Sequence, residues 1–119
     1  MRDYRRLKVW QRAHWLTIAI YKATSAFPEA ERYGLTAQLR SSVISIEANI
    51  AEGAGRRTHN DYGRFLDISL GSINETECHL LIARDLNLMP KIHADEMLAH
   101  TDEVRRMLLG LRRKLRQTT

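Results

Sequence analysis

Several groups of residues in this sequence have types and spacings that could support chemistry. His93, Glu96 and His100 fall at i, i+3 and i+7, which places them on one face if the segment is helical. Zinc sites of the HExxH kind need histidines four apart, and di-iron bundles need Glu-x-x-His on two helices. Neither pattern occurs here, so the trio reads as a solvated face and no metal or other cofactor is expected. Glu47, Glu52, Glu75 and Glu77 fall toward the middle of their segments, and helical phase sets Glu52 and Glu75 nearest the buried side. Carboxylates so placed need arginine or backbone partners, and they suggest internal pairing before acid–base catalysis. Cys78 has only His79 beside it, directed to another side of a helix, and reads as a small core or boundary residue.

The stretch NIAEGAGRRTH, Asn49 to His59, offers glycines and cations together. A phosphate-cradling loop would follow a strand and place Gly-Lys-Ser/Thr at the mouth of a helix. These glycines follow a helical pattern and no lysine stands in the required place. The stretch is a corner between helices that carries arginines, and no catalytic residue is assigned.

The elements that must position these groups are visible in the apolar spacing. Val9, Ala13, Leu16, Ile20, Ala23 and Phe27 recur in steps of four and three, and Pro28 ends the run. Leu35, Leu39, Val43, Ile46, Ile50 and Gly53 form a second stripe, with Gly55 expected in the left-handed conformation that closes a helix. A third runs through Tyr62, Phe65 or Leu66, Ser69, Ile73, Thr76, Leu80 and Ala83, opened by Thr58 and Asp61 as a short capping box. Met97, Thr101, Val104, Leu108, Leu111 and Leu115 form the fourth, after Pro90. No segment alternates with period two. The expectation is one all-α domain over residues 1–119, an up-down-up-down antiparallel four-helix bundle with helices at about 5–27, 34–55, 59–87 and 90–116.

Composition limits the setting. The chain has 119 residues, 44% of them hydrophobic and 28% charged, with a single cysteine. It carries no apolar run of membrane-spanning length and no signal-peptide pattern. A cytoplasmic protein that does not enter membranes fits best. Apolar residues off the main stripes (Trp10, Trp15, Ile18, Ile44, Ala48, Ala51, Ile68, Leu70 and Ile82) make the hydrophobic surface wider than one bundle needs, which points to homo-oligomers.

In such a bundle the first helix start, the second-to-third corner and the fourth helix end share one pole. Twelve of the nineteen basic residues then gather there. Cations at the ends of helices two and four complement helix dipoles, but those at the start of helix one oppose the local dipole. Polyanion recognition accounts for the second group. Arg5, Arg6, Lys8, Arg56, Arg57, Arg112, Arg113, Lys114 and Arg116 are the expected phosphate contacts for RNA or DNA, bound without strong sequence preference. The alternative is an interaction scaffold or accessory subunit whose basic pole meets an acidic protein partner.

Several blocks also resemble a known family. They are Leu7 to His14, Phe27-Pro28, Tyr33 to Thr36, Gln38 to Arg40, Asn49 to Gly53, Arg64 to Leu66, Leu70 to Ser72, Glu75 and Glu77. Together they are similar to the proteins encoded in intervening sequences of bacterial 23S rRNA genes. The resemblance implies a cytosolic four-helix bundle assembled as a ring of five, with no established enzymatic activity. It also implies kinship to an accessory protein of diversity-generating retroelements that is thought to bind nucleic acid through a basic surface. Many relatives have proline where Glu47 stands and a larger residue where Gly63 stands. Trp10, Asn49, Glu52, Gly53, Arg64, Phe65, Gly71 and Glu75 carry the motif blocks, and their expected role is to organise packing between helices or subunits.

Overall fold

Local interactions set several of the helix boundaries. The computed structural model describes residues 2–117, so Met1, Thr118 and Thr119 lie outside the described part of the expected 1–119 domain. Asp3 caps a single 3-10 turn at Tyr4–Arg6, its side chain accepting from the Arg5 N–H, and helix α1 follows at Lys8–Thr24. This helix is shorter than the apolar stripe suggested. Its C-terminal carbonyls are captured by Arg40, which donates to the Tyr21 carbonyl at 3.3 Å and to Thr24 Oγ1 at 2.9 Å. A cation at that end also complements the helix dipole. Phe27 remains buried after the chain has left the helix.

Helix α2 spans Leu35–Ala54. Its preceding residue, Gly34, has no side chain to cap it, and Glu31 Oε1 accepts from the Leu35 N–H at 3.2 Å instead. Gly55 does not adopt the expected left-handed conformation: it lies at φ −85°, ψ −3°, in the right-handed region. Thr58 is extended, which lets its hydroxyl accept from the Asp61 N–H at 3.1 Å and start helix α3, His59–Asp85. The left-handed closure occurs at the end of α3, where Asn87 has φ 57° and the Leu88 N–H donates to the Ala83 carbonyl at 2.9 Å. Helix α4 spans Lys91–Gln117, after Pro90.

The cross-helix partners fix the topology. Pairs between α1 and α2 run from His14–Glu47 through Thr17–Val43 to Tyr21–Arg40, so one numbering rises as the other falls. The same inversion links Ser69–Ile46 to Thr76–Ser42, and Asp67–Arg112 to Arg84–Asp95. Arg12–Glu103 and Trp15–His100 close α1 against α4 in the same antiparallel sense. The protein is an all-α up-down-up-down four-helix bundle measuring 46 × 22 × 20 Å.

The core lies on the stripes read from the sequence. Leu16, Ile20, Leu39, Ile46, Ile50, Leu66, Ile73, Leu80 and Leu108 are fully buried. Each such side chain contributes roughly 1.5–3 kcal/mol on leaving water. Between α2 and α3 the core gives way to a ladder of small polar residues. The Ser69 hydroxyl donates to the Ile46 carbonyl at 2.8 Å, Ser45 and Ser72 share a bond at 2.8 Å, and Thr76 donates to Ser42 at 3.0 Å. Small side chains bring the two backbones close, and the hydroxyls satisfy one another within the seam.

Candidate nucleic-acid interface

Three segments converge at one end of the bundle. The Arg2 guanidinium donates to the Ala54 and Arg56 carbonyls at 3.4 and 3.3 Å and lies 4.5 Å over the Tyr62 ring, joining the N-terminal turn to the α2–α3 corner. Tyr62 is buried there, and its hydroxyl lacks a hydrogen-bond partner among the described residues. Burial pushes its phenol pKa up, against the opposing pull of Arg2. Arg112 reaches from α4 to Asp67 on α3 at 2.9 Å. Lys8 of α1 lines one hollow with Arg113 and Lys114 of α4.

The nine expected phosphate ligands divide into two groups. Arg6, Lys8, Arg57, Arg113 and Lys114 are exposed and make no ion pair among the described residues. Arg116 is exposed too, but has a partner within the chain. Arg5, Arg56 and Arg112 are engaged in ion pairs. Arg5 pairs with Asp3 at 3.1 Å, and that hydrogen bond holds the Asp3 carboxyl below its usual range. Arg56 pairs with Glu52 at 2.8 Å and lies 4.7 Å over Phe65, with Arg64 at the same distance over that ring. Exposed pairs of this kind contribute little, so they can exchange partners.

Arg112 is held more firmly. Its side chain is only 18% exposed, because the guanidinium occupies the space that a side chain on residue 63 would fill. A Cβ on Gly63 would lie 2.6 Å from the Arg112 Cζ. The obstacle is the far end of a flexible side chain, so Gly63→Ala is expected to expel Arg112 while removing the helix penalty of glycine, about 1 kcal/mol. Thermal melting should show unchanged or raised stability, with oligonucleotide affinity rising a few-fold. A fall in both would contradict this placement.

Of the motif residues, Asn49, Gly53 and Phe65 lie in the α2–α3 seam and the others lie outside it. Asn49 donates to Ser45 Oγ at 3.0 Å, which carries the NIAEG block to Ser72 of the Leu70-Gly71-Ser72 block. Gly53 is buried against Tyr62 and Phe65. Trp10 stacks on His14 with ring centroids 4.8 Å apart and meets Tyr4 edge-on, pinning the N-terminal turn. Arg64 approaches Asp61 at 3.8 Å. Glu52 and Glu75, expected near the buried side, are both exposed. The carboxylates do not gather: Glu47 pairs with His14 at 3.1 Å and Glu77 with Arg105 at 3.0 Å, on different seams. Cys78 is exposed, not in the core or at its boundary. Gly71 is exposed as well, and a Cβ there would meet nothing within 4 Å.

No group of three metal-ligating side chains exists among the described residues, and no described helix is long and apolar enough to cross a membrane. Sequence reasoning missed the contact between Trp15 and His100, whose rings lie 4.3 Å apart across α1 and α4. The separate helical periods hinted at each residue's face but could not set the register between the two helices.

Fold and pole together define an antiparallel helical bundle with cations from three segments drawn to one end. The chain belongs to the 23S rRNA-intervening sequence protein family, which matches residues 5–110. It is also similar to a crystal structure from Bacteroides thetaiotaomicron, of a protein with unknown function from the S23 ribosomal protein family. That likeness has a TM-score of 0.78 and 23% identity, and it covers 87% of this chain and 96% of the other. At this identity it shows the fold alone. No curated protein matches the sequence.

Proposed function

We propose that this protein is a non-enzymatic, cytoplasmic homo-oligomer, a ring of five, that binds RNA or DNA through its basic pole. The observation that carries this reading is the group of exposed cations, Arg6, Lys8, Arg57, Arg113 and Lys114, without acidic partners among the described residues. An unpaired cluster raises the local positive potential and lets phosphates replace only water and counterions. Several subunits would each add weak contacts to one strand, giving avidity without base readout. The test is titration with short RNA and DNA oligonucleotides over a range of salt. Log affinity should fall linearly with log salt, with a slope of about −0.7 per phosphate contacted on single strands. Absence of binding at low salt removes this reading and favours an acidic protein partner.

Assembly is supported by an apolar strip that the bundle leaves open. Ile68 and Gly71 are exposed on α3 beside Ser72, while Ile44 and Ala48 are exposed on α2 and line a hollow with Tyr4 and Trp10. Gly71 has no packing role within the subunit, and a neighbouring backbone could approach there. In light scattering the protein should show five times its 13.8 kDa chain mass. Gly71→Leu should dissociate it while leaving the helical signal intact. A wild-type monomer, or a variant of unchanged mass, would contradict the role given to this strip.

A further inference from the structure

The loosest part of the bundle surface is the seam between α1 and α4. An open groove of about 720 Å3 is lined there by Lys8, Gln11, Arg12, Trp15, His100 and Glu103, with Met107 at one end. Met107 and Lys8 also line a second hollow of about 480 Å3, with Leu7, Gly110, Arg113 and Lys114. The two therefore form one trough that begins at the basic pole and runs up the side of the subunit. From Lys114 to His100 it extends about 21 Å, at the rise of roughly 1.5 Å per helical residue.

The chemistry changes along this trough. Near the pole, Lys8, Arg113 and Lys114 offer unpaired charge beside an apolar floor. At the far end stands Trp15, 46% exposed, with the His100 ring tilted 49° to it. The carboxylate in this part, Glu103, is neutralised by Arg12 at 2.9 Å. A half-exposed indole is a costly surface to leave in water, and planar neighbours suit a planar ligand. Aromatic platforms joined to a cationic track are how single strands are held without sequence readout.

We infer that the α1–α4 trough is a site for single-stranded nucleic acid, with an unstacked base against Trp15 and His100 and the adjoining phosphates on Lys8, Arg113 and Lys114. This rests on the polyanion reading of the pole and deepens it, because it specifies the form of nucleic acid. Bases in a duplex are paired and stacked, so their faces cannot reach the indole. A purely acidic peptide would use the cations and leave the aromatic pair unused. The groove volume, within the range of small-ligand sites, accommodates one base.

The experiment uses the full chain, an oligo(dT) of about 12 nucleotides, a duplex of equal length and polyglutamate. Trp15 is the more exposed of the two tryptophans, so oligo(dT) should quench the intrinsic fluorescence and duplex or polyglutamate should not. Trp15→Ala should weaken oligo(dT) binding by about tenfold and leave duplex binding unchanged. Trp15→Phe should restore most of the loss, which guards against a folding defect in the alanine variant. Equal affinity for both DNA forms, unaffected by Trp15→Ala, overturns the trough while the phosphate-binding pole stands. Failure of both DNAs to bind at low salt removes both. Quenching by polyglutamate to the same extent would assign the trough to an acidic protein, and a drop in oligomeric mass on Trp15→Ala would make it a subunit contact. Either outcome overturns the inference.

Discussion

Replacing Gly53 with alanine should destabilise the protein by about 1–3 kcal/mol, although helix propensity alone predicts the opposite sign. Gly53 lies inside α2, where alanine is favoured by about 1 kcal/mol. The added Cβ, however, would lie 2.9 Å from the Phe65 Cβ and 3.1 Å from the Tyr62 carbonyl oxygen. Neither atom is the end of a flexible chain, so relief requires α2 and α3 to move apart. That movement would strain the nearby hydroxyl ladder and the packing of Ala54 and Tyr62. For a domain of this size the loss corresponds to a melting temperature lower by about 4 °C per kcal/mol. Gly110→Ala is the control, because a Cβ there meets nothing within 4 Å and propensity should act alone. If Gly53→Ala melts at or above the wild-type temperature, the close approach of α2 and α3 at that point is wrong.

That contrast shows what the sequence could and could not reveal. Apolar stripes identified the buried faces because burial is a one-dimensional signal at 3.6-residue spacing. Leu39, Val43, Ile46 and Ile50 are buried as their spacing implied. Glu52 and Glu75 were misplaced because the stripe was drawn too wide: the α2–α3 seam is narrow and lined by serine and threonine. Small hydroxyl residues count as weakly polar in a pattern, yet here Ser69 and Thr76 are fully buried. Gly55 was misjudged for a different reason. Glycine permits the left-handed conformation but does not require it, whereas Asn87 adopts it to close α3. At the pole, the sequence could gather the cations but could not show that Asp67 and the space above Gly63 retain Arg112. Ion pairs between distant segments depend on helix register, which no local period encodes.

The largest effect expected on function comes from two lysines. Lys8→Glu together with Lys114→Glu should weaken oligonucleotide binding by at least about thirtyfold at low salt. Two phosphate contacts near 4 Å are worth about 1 kcal/mol each in water, and 1.4 kcal/mol is tenfold. Reversal adds repulsion to that loss. Lys22→Glu with Lys91→Glu makes the same change in net charge at exposed positions at the opposite end of the bundle from the basic pole. Lys22 lines a hollow that meets the far end of the trough at Gln11 and Trp15. If location governs binding, this second pair should change affinity only a few-fold, through the weak field of the whole molecule and within the reach of salt screening. Equal losses in both variants would mean that net charge alone attracts the polyanion, and the pole would have no special role. Folding does not confound the comparison. All four lysines are exposed and make no ion pair among the described residues. Reversing Lys114 forfeits its favourable interaction with the C-terminal dipole of α4, about 0.3–1 kcal/mol, while Lys8→Glu gains a comparable amount at the N-terminus of α1. Stability should therefore stay nearly constant in the first variant while binding collapses, a separation that a merely structural role for these residues would not produce.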